Sequence, residues 1–247
     1  HLQFGNPNDP EIFWTFLESL KGLTDFAKDF EIPCVGGKVS LYNETSDGPI
    51  KPTPVIGVIG LIDKKPLKIQ KINSGDSLIM VGDTKDELGG SEYSEYIHKF
   101  IGGKCPAVDF SESKKNMNSV LDAIENELIK SAHDCSKGGL SIAISELCMI
   151  NQIGCNISLE KIPGEKLDSD KILFSESHSR YLLTIENKNL SKLEETMKKH
   201  NVSYSLIGEF TGDSICFTGD SKPIIDLSVD KAQKTWYNSL KEMVLHA

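Results

Sequence analysis

Apolar residues recur at helical spacing early in the chain: Phe13, Phe16, Leu17, Leu20, Leu23, Ala27 and Phe30 share one face. Asn8-Asp9-Pro10 precedes them as a start signal. Asp9 is suited to accept from free N–H groups, and Pro10 lacks the N–H that a first turn leaves unused. The pattern predicts a helix over Glu11–Phe30, stopped by Pro33. After Gly36-Gly37, Val39–Tyr42 reads as a short strand, and Asn43–Pro54 as a polar loop. Val55–Ile62 is a continuous β-type run, the pattern expected of a strand buried on both faces.

The charged connector Asp63-Lys64-Lys65-Pro66 is the best domain boundary in the chain, and the periodicity restarts beyond it. Strands are predicted at Ser77–Val81, Cys155–Leu159, Tyr181–Ile185, Tyr204–Gly208 and Ser214–Phe217. Helices are predicted at Ser91–Phe100, Glu112–Lys130, Leu140–Met149, Asn189–Lys199 and Asp230–Leu245. Interleaved strands and helices place the chain in the α/β or α+β class with mixed sheets. No internal repeat or low-complexity tract interrupts it.

Composition narrows the function classes. The 247 residues contain 38% hydrophobic and 26% charged positions, ordinary globular usage that excludes disorder and fibrous repeats. A formal net charge of −9 argues against broad nucleic-acid binding, which needs clustered Lys and Arg, but leaves room for a small anionic ligand. The most apolar run is too short to span a bilayer, and no basic-then-apolar leader opens the chain. Six scattered cysteines without a CxxC pair or zinc spacing fit a reduced, cytoplasmic protein. The chain begins at His1 rather than Met, consistent with a cut or cleaved start.

Three constellations are candidates for chemistry. In Val35-Gly36-Gly37-Lys38-Val39-Ser40 the glycines allow a close backbone approach to an anion, with an ammonium and a hydroxyl nearby. A tight turn explains the same glycines. A Walker A loop is excluded, because Ile32 and Val39 stand where that motif needs a glycine and a Ser/Thr. The second is His133-Asp134-Cys135-Ser136-Lys137-Gly138-Gly139, which runs into a helix whose N-terminus suits phosphate. There Asp134 serves either a divalent cation or the turn itself, and a nucleophile–base pairing of His133 with Cys135 is not expected. The third, Phe174–Arg180, crowds polar residues at a strand entrance. Arg180 is suited to pair with a carboxylate or phosphate, or simply with Glu176 in a solvated loop. His98, His200 and His246 read as surface residues.

Taken together, these segments resemble the large synthetase subunit of phosphoribosylformylglycinamidine synthase. Asn6-Pro7 through Phe13-Trp14, Gly36 through Glu44 and Pro52 through Gly57 follow that family's FGNP…PEIFW, GNVSLYNE and PTPVIG patterns. Leu88–Tyr93, His133–Leu140 and Ser175–Arg180 follow its LGGSEY, HDxSxGGL and SESxxR motifs in order. The resemblance covers almost the whole chain. Aminoimidazole ribonucleotide synthetase and selenophosphate synthetase share the architecture but not the FGNP…PEIFW and VSLYNE blocks.

The resemblance implies an aminoimidazole-ribonucleotide-synthetase-like fold, with residues 1–63 as the last part of an ATP-binding N-terminal domain and 64–247 as a complete C-terminal domain. The chain then corresponds to part of the second half of a two-half synthetase. The family converts formylglycinamide ribonucleotide, ATP and glutamine-derived ammonia to the amidine, ADP and phosphate, an ATP-dependent carbon–nitrogen ligation in purine biosynthesis. Its partners are a glutaminase subunit with a small accessory subunit, or a fused glutaminase domain, and the first half of the same synthetase. Its cofactors are ATP and Mg²⁺, and no nucleic acid or membrane is involved. Position by position, the resemblance makes Gly37 an ATP contact and Ser40 a substrate contact. Lys38 stands where the family pattern has an Mg²⁺-binding Asn, and an ammonium cannot ligate a metal. Asp134, Gly138, Gly139, Glu176 and Arg180 match motifs of a duplicated nucleotide pocket. The catalytic histidines belong to the other half, so a non-catalytic half that pairs with the catalytic one is the alternative.

Overall fold

The computed structural model describes residues 1–63, 66, 67 and 70–245. It divides into two compact units, His1–Pro66 and Leu67–Ala247. Within the charged connector, Lys64 and Lys65 lie outside the described residues, as does His246.

In the first unit the predicted helix forms as α1, Pro10–Asp29, with Asp9 accepting from the Glu11 amide at 2.8 Å. Strand β1 (Leu2–Gln3) runs parallel to β2 (Val39–Ser40) and, from the second half of the polar loop, antiparallel to β5 (Thr53–Pro54). Between them β3 (Glu44–Thr45) and β4 (Gly48–Pro49) form a hairpin. Phe4 is buried, with its ring edge-on to Phe16 at 5.2 Å.

The expected buried strand at Val55–Ile62 is not formed. Residues 55–62 are irregular, and Ile59 and Leu61 are 99% and 98% exposed. β propensity states only that side chains suit a half-buried pleated surface. Val55 still exchanges backbone hydrogen bonds with His1, at 2.8 and 2.7 Å, but among the described residues no strand pairs with the run beyond it.

The second unit is built on a seven-stranded mixed sheet. Its strands are β6 (Ser77–Val81), β7 (Ser131–Asp134), β8 (Cys155–Ser158), β9 (Tyr181–Ile185), β10 (Tyr204–Phe210), β11 (Ser214–Gly219) and β12 (Lys222–Ser228), in the order β12-β11-β8-β10-β6-β9-β7. All neighbours are antiparallel except β11 and β8. The helices are α2 (Glu92–His98), α3 (Phe110–Glu125), α4 (Gly139–Asn151), α5 (Ser169–Phe174), α6 (Leu190–His200) and α7 (Val229–Leu245).

Alternation along the central strands sorts the helices onto two faces. Leu78 and Met80 of β6 pack with Leu140, Ile144 and Leu147 of α4, Leu173 of α5 and Val229 of α7. Ile79 and Val81 pack instead with Val120 and Ala123 of α3 and with Leu193 and Met197 of α6. Every residue of β6 is buried, so β6 realises the two-faced burial expected at Val55–Ile62.

Three elements of the second unit were not expected from the pattern: β7, α5 and β12. Pro223 reads as a strand breaker, but β12 lies at the sheet edge, beside a register shift at Phe217/Thr218, where a missing N–H is tolerated. Helix α3 ends at Glu125 rather than Lys130, because Glu127 turns into the left-handed region (φ 54°). Among the described residues, no helix is long and apolar enough to cross a membrane.

Candidate functional site

In the first unit the glycine turn leads into β2. Gly36 and Gly37 are exposed, and a Cβ added at either would have no heavy atom within 4 Å. The turn therefore leaves open space for a ligand to approach the backbone. Lys38 is exposed, and its carbonyl accepts from the Leu2 amide at 2.9 Å. Ser40 Oγ lies 3.1 Å from Asn43 Oδ1 and donates to it. The Asn43 amide in turn donates to the Phe4 and Ser40 carbonyls at 2.9 and 3.0 Å. Asn43 thus orients the Ser40 hydroxyl, a role that sequence reasoning did not assign to it, although it stands in the same motif block.

The fit to the expected groups differs. An open glycine turn fits the phosphates of a nucleotide. At the position expected to hold magnesium, Lys38 does not fit it, because an ammonium has no lone pair to give a metal.

In the second unit, three sequence-predicted segments converge. Ser175 and Ser177 brace the loop after β6: the Lys85 amide donates to Ser177 Oγ at 3.1 Å and the Glu87 amide to Ser175 Oγ at 3.3 Å. Glu176 Oε1 accepts from the Gly138 amide at 2.8 Å and the Glu92 amide at 2.9 Å. One carboxylate therefore takes amides at the starts of both α4 and α2, where the helix dipoles favour negative charge. Lys137 pairs with Glu92 at 2.6 Å, and Tyr93 stacks on Phe174 with ring centroids 4.5 Å apart.

The glycines make this convergence possible. Gly138 and Gly139 have φ of 78° and 68°, and a Cβ on Gly139 would fall 2.5 Å from the Ser175 carbonyl oxygen.

Arg180 departs from both readings of its partner. It is 1% exposed and donates to the Ser177 carbonyl at 2.9 Å, Thr84 Oγ1 at 3.1 Å and the Ser175 carbonyl at 2.5 Å. Glu176 is spent on amides, and no Glu176–Arg180 ion pair forms among the described residues. Burial lowers the affinity of Arg180 for its proton below the usual guanidinium value, partly offset by Cys135, Glu87 and Glu176. The guanidinium is a strut for the 174–180 loop, neither exposed nor presented to a ligand.

Asp134 keeps its side chain 71% exposed at the end of β7, and no metal cluster forms around it among the described residues. Burial pushes the neighbouring Cys135 thiol up to about 11, so it remains protonated and is not a nucleophile near neutral pH. Sequence reasoning missed one further juxtaposition. His133 Nε2 lies 3.4 Å from Glu146 Oε2, a contact between β7 and α4 that no local pattern announces.

A mixed sheet with helices on both faces, and motif loops gathered at the start of α4, define a mixed α/β class of protein. Residues 73–218 match the family described as AIR synthase related protein, C-terminal domain, and the chain belongs to it. The chain is 38% identical to phosphoribosylformylglycinamidine synthase subunit PurL of Methanocaldococcus jannaschii over 252 aligned residues, covering 99% of this chain and 34% of that protein. It thus spans about a third of the length of that relative. Among solved structures, Thermotoga maritima PurL complexed with FGAR superposes with a TM-score of 0.74 at 16% identity, over 94% of this chain and 38% of that one. T. maritima PurL complexed with ATP gives 0.65 at 17% identity, over 86% and 34%. The structural likenesses show the fold.

Proposed function

We propose that this chain is part of a phosphoribosylformylglycinamidine synthase and contributes nucleotide and substrate contacts to a site completed by the rest of the synthetase. The observation that carries the reading is the 38% identity to a PurL subunit along 99% of the chain. The open glycine turn supports it. In this reading residues 1–63 belong to the ATP-binding N-terminal domain and 64–247 form the C-terminal one. Gly37 takes the nucleotide, and Ser40, oriented by Asn43, takes formylglycinamide ribonucleotide. ATP, when bound, supplies the phosphoryl group that activates the amide oxygen for displacement by glutaminase-derived ammonia. The chain's own share is to bind and orient, which is most of what phosphoryl transfer asks of a protein. No step is assigned to magnesium. The partners are the first half of the synthetase and a glutaminase, separate or fused, in the cytoplasm.

The test is ADP release. The intact synthetase should release ADP in response to formylglycinamide ribonucleotide, and this chain alone should bind ATP weakly and release none. Rapid ATP turnover by the chain alone, or no response to that ribonucleotide by the intact protein, would overturn the reading.

A second reading, a non-catalytic half that binds a nucleotide and pairs with the catalytic one, is favoured by Lys38 and by the carboxylate of Glu176 on the α4 amide. Lys38→Asn in the intact synthetase separates the two. A gain of Mg²⁺-dependent ATP binding marks a repurposed site, and no change marks a structural position.

A further inference from the structure

Beside the edge strand β7, on the α4 face of the sheet, lies a cavity of about 200 Å³. It belongs wholly to the second unit and is independent of the nucleotide reading. His133 and Glu146 line it, together with Trp236 and Tyr237 of α7 and with Met149 and Ile150 of α4. Helix α7 is held against α4 at this point by Gln152, whose amide donates to Gln233 Oε1 at 2.9 Å.

The two titratable groups are arranged unusually. His133 Nδ1 lies 2.7 Å from the Asp134 carbonyl oxygen. A carbonyl only accepts, so the proton of a neutral ring sits on Nδ1. Nε2 then carries a lone pair, and it faces Glu146 Oε2 at 3.4 Å. Two acceptors therefore converge at one wall with no donor between them, and among the described residues no other hydrogen bond reaches the Glu146 carboxylate. Converging acceptors of net negative charge call for a cationic N–H donor. Among the described residues no Lys or Arg lines the cavity to supply one. Trp236 and Tyr237 line the same cavity, and indole and phenol rings attract organic cations through their π faces.

We propose that this cavity binds a small organic primary ammonium. Its N–H groups donate to Glu146 Oε2 and His133 Nε2, and its apolar body lies against Trp236, Tyr237 and Met149. The volume suits a body of one ring or a short alkyl chain. The obvious rival is internal: with both ring nitrogens protonated, Nε2–H donates to Glu146, and an ammonium gains nothing over a neutral molecule of the same shape.

The test uses the 247-residue chain with benzylammonium and its neutral isostere, benzyl alcohol, followed by calorimetry and saturation-transfer NMR. Benzylammonium should bind saturably with a dissociation constant on the order of 1 mM. Benzyl alcohol should bind about tenfold more weakly, the difference expected for one charge-assisted contact. Glu146→Gln and Trp236→Ala, each checked by circular dichroism for an unchanged fold, should each weaken benzylammonium by about tenfold. Equal binding of the two probes, undiminished binding to the folded Glu146→Gln variant, or no saturable binding by the unaltered chain would overturn the proposal. Should either variant fail to fold, the comparison of the two probes on the unaltered chain decides alone.

Discussion

The buried pair Lys130–Asp76 offers a sharp test of how the second unit is held together. Lys130 Nζ lies 2.6 Å from Asp76 Oδ2, and the two side chains are 6% and 7% exposed. Asp76 Oδ2 also accepts from the Asn73 amide at 2.6 Å. Asp76 stands just before β6 and Lys130 just before β7, strands separated in the sheet by β9, so the pair ties together two strand entrances that share no ladder. Lys130→Met leaves the carboxylate buried with one amide donor, and Asp76→Asn leaves a buried ammonium whose paired carboxylate is gone, with only the more distant Glu186 charge near it. Each should cost about 3–5 kcal/mol, the usual penalty for orphaning one partner of a buried pair. At about 2–4 °C per kcal/mol for a unit of this size, each melting temperature should fall by roughly 6–20 °C. The double variant Lys130→Met/Asp76→Leu removes both charges and loses mainly the Asn73 contact, so it should lie within about 2 kcal/mol of the unaltered protein. Urea and thermal unfolding followed by circular dichroism measure all of these values. A single variant within about 1 kcal/mol of the starting protein, or a double variant as unstable as the two singles summed, would refute the reasoning.

At the motif cluster, Gly139→Ala should be the more damaging of two neighbouring glycine substitutions, costing at least about 2 kcal/mol, because its Cβ strikes the Ser175 carbonyl. Gly138→Ala meets only the Ile142 side chain and should cost less; equal melting temperatures would contradict this. Asp122 accepts from Lys199 at 2.9 Å and contacts His200 Nε2 at 2.8 Å, and these two partners hold its carboxyl below the usual carboxylate range, Lys199 first. A depressed folded-state value means that the stabilisation is present above the ordinary carboxylate pKa of about 4 and is lost as pH falls through the folded value. Asp122→Asn should therefore lower stability at pH 6 and flatten its acid-side decline, as read from urea unfolding at pH 6 and pH 3.

Much of the second unit was legible in the chain, for reasons particular residues make plain. Ser77–Val81 and Tyr181–Ile185 form strands with the bounds their β-branched and aliphatic content predicts, and α4 follows its glycine pair almost residue for residue. Helix α1 begins at its proline because Asp9 caps it, a purely local event. The three motif segments were also visible as candidates. Their convergence was not, because Glu176 reaching two amides from distant parts of the chain is a property of the folded loops.

The sequence by itself determined the elements whose causes lie within a few residues: caps, glycine turns, two-faced alternation, and the run of motifs that marks the family. Only the tertiary structure decided what those residues touch. Val55–Ile62 has all the composition of a core strand and is not one, since a strand exists only where another offers it a ladder. Arg180 looked like a ligand for an anion and is a buried strut bonded to carbonyls, while Glu176, its expected partner, sits on the amides of two helices. His133 and Glu146 meet although thirteen residues separate them in the chain, because α4 folds back over the edge of the sheet. Propensity is local and was readable; partnership is a matter of distance in space, and packing alone sets it.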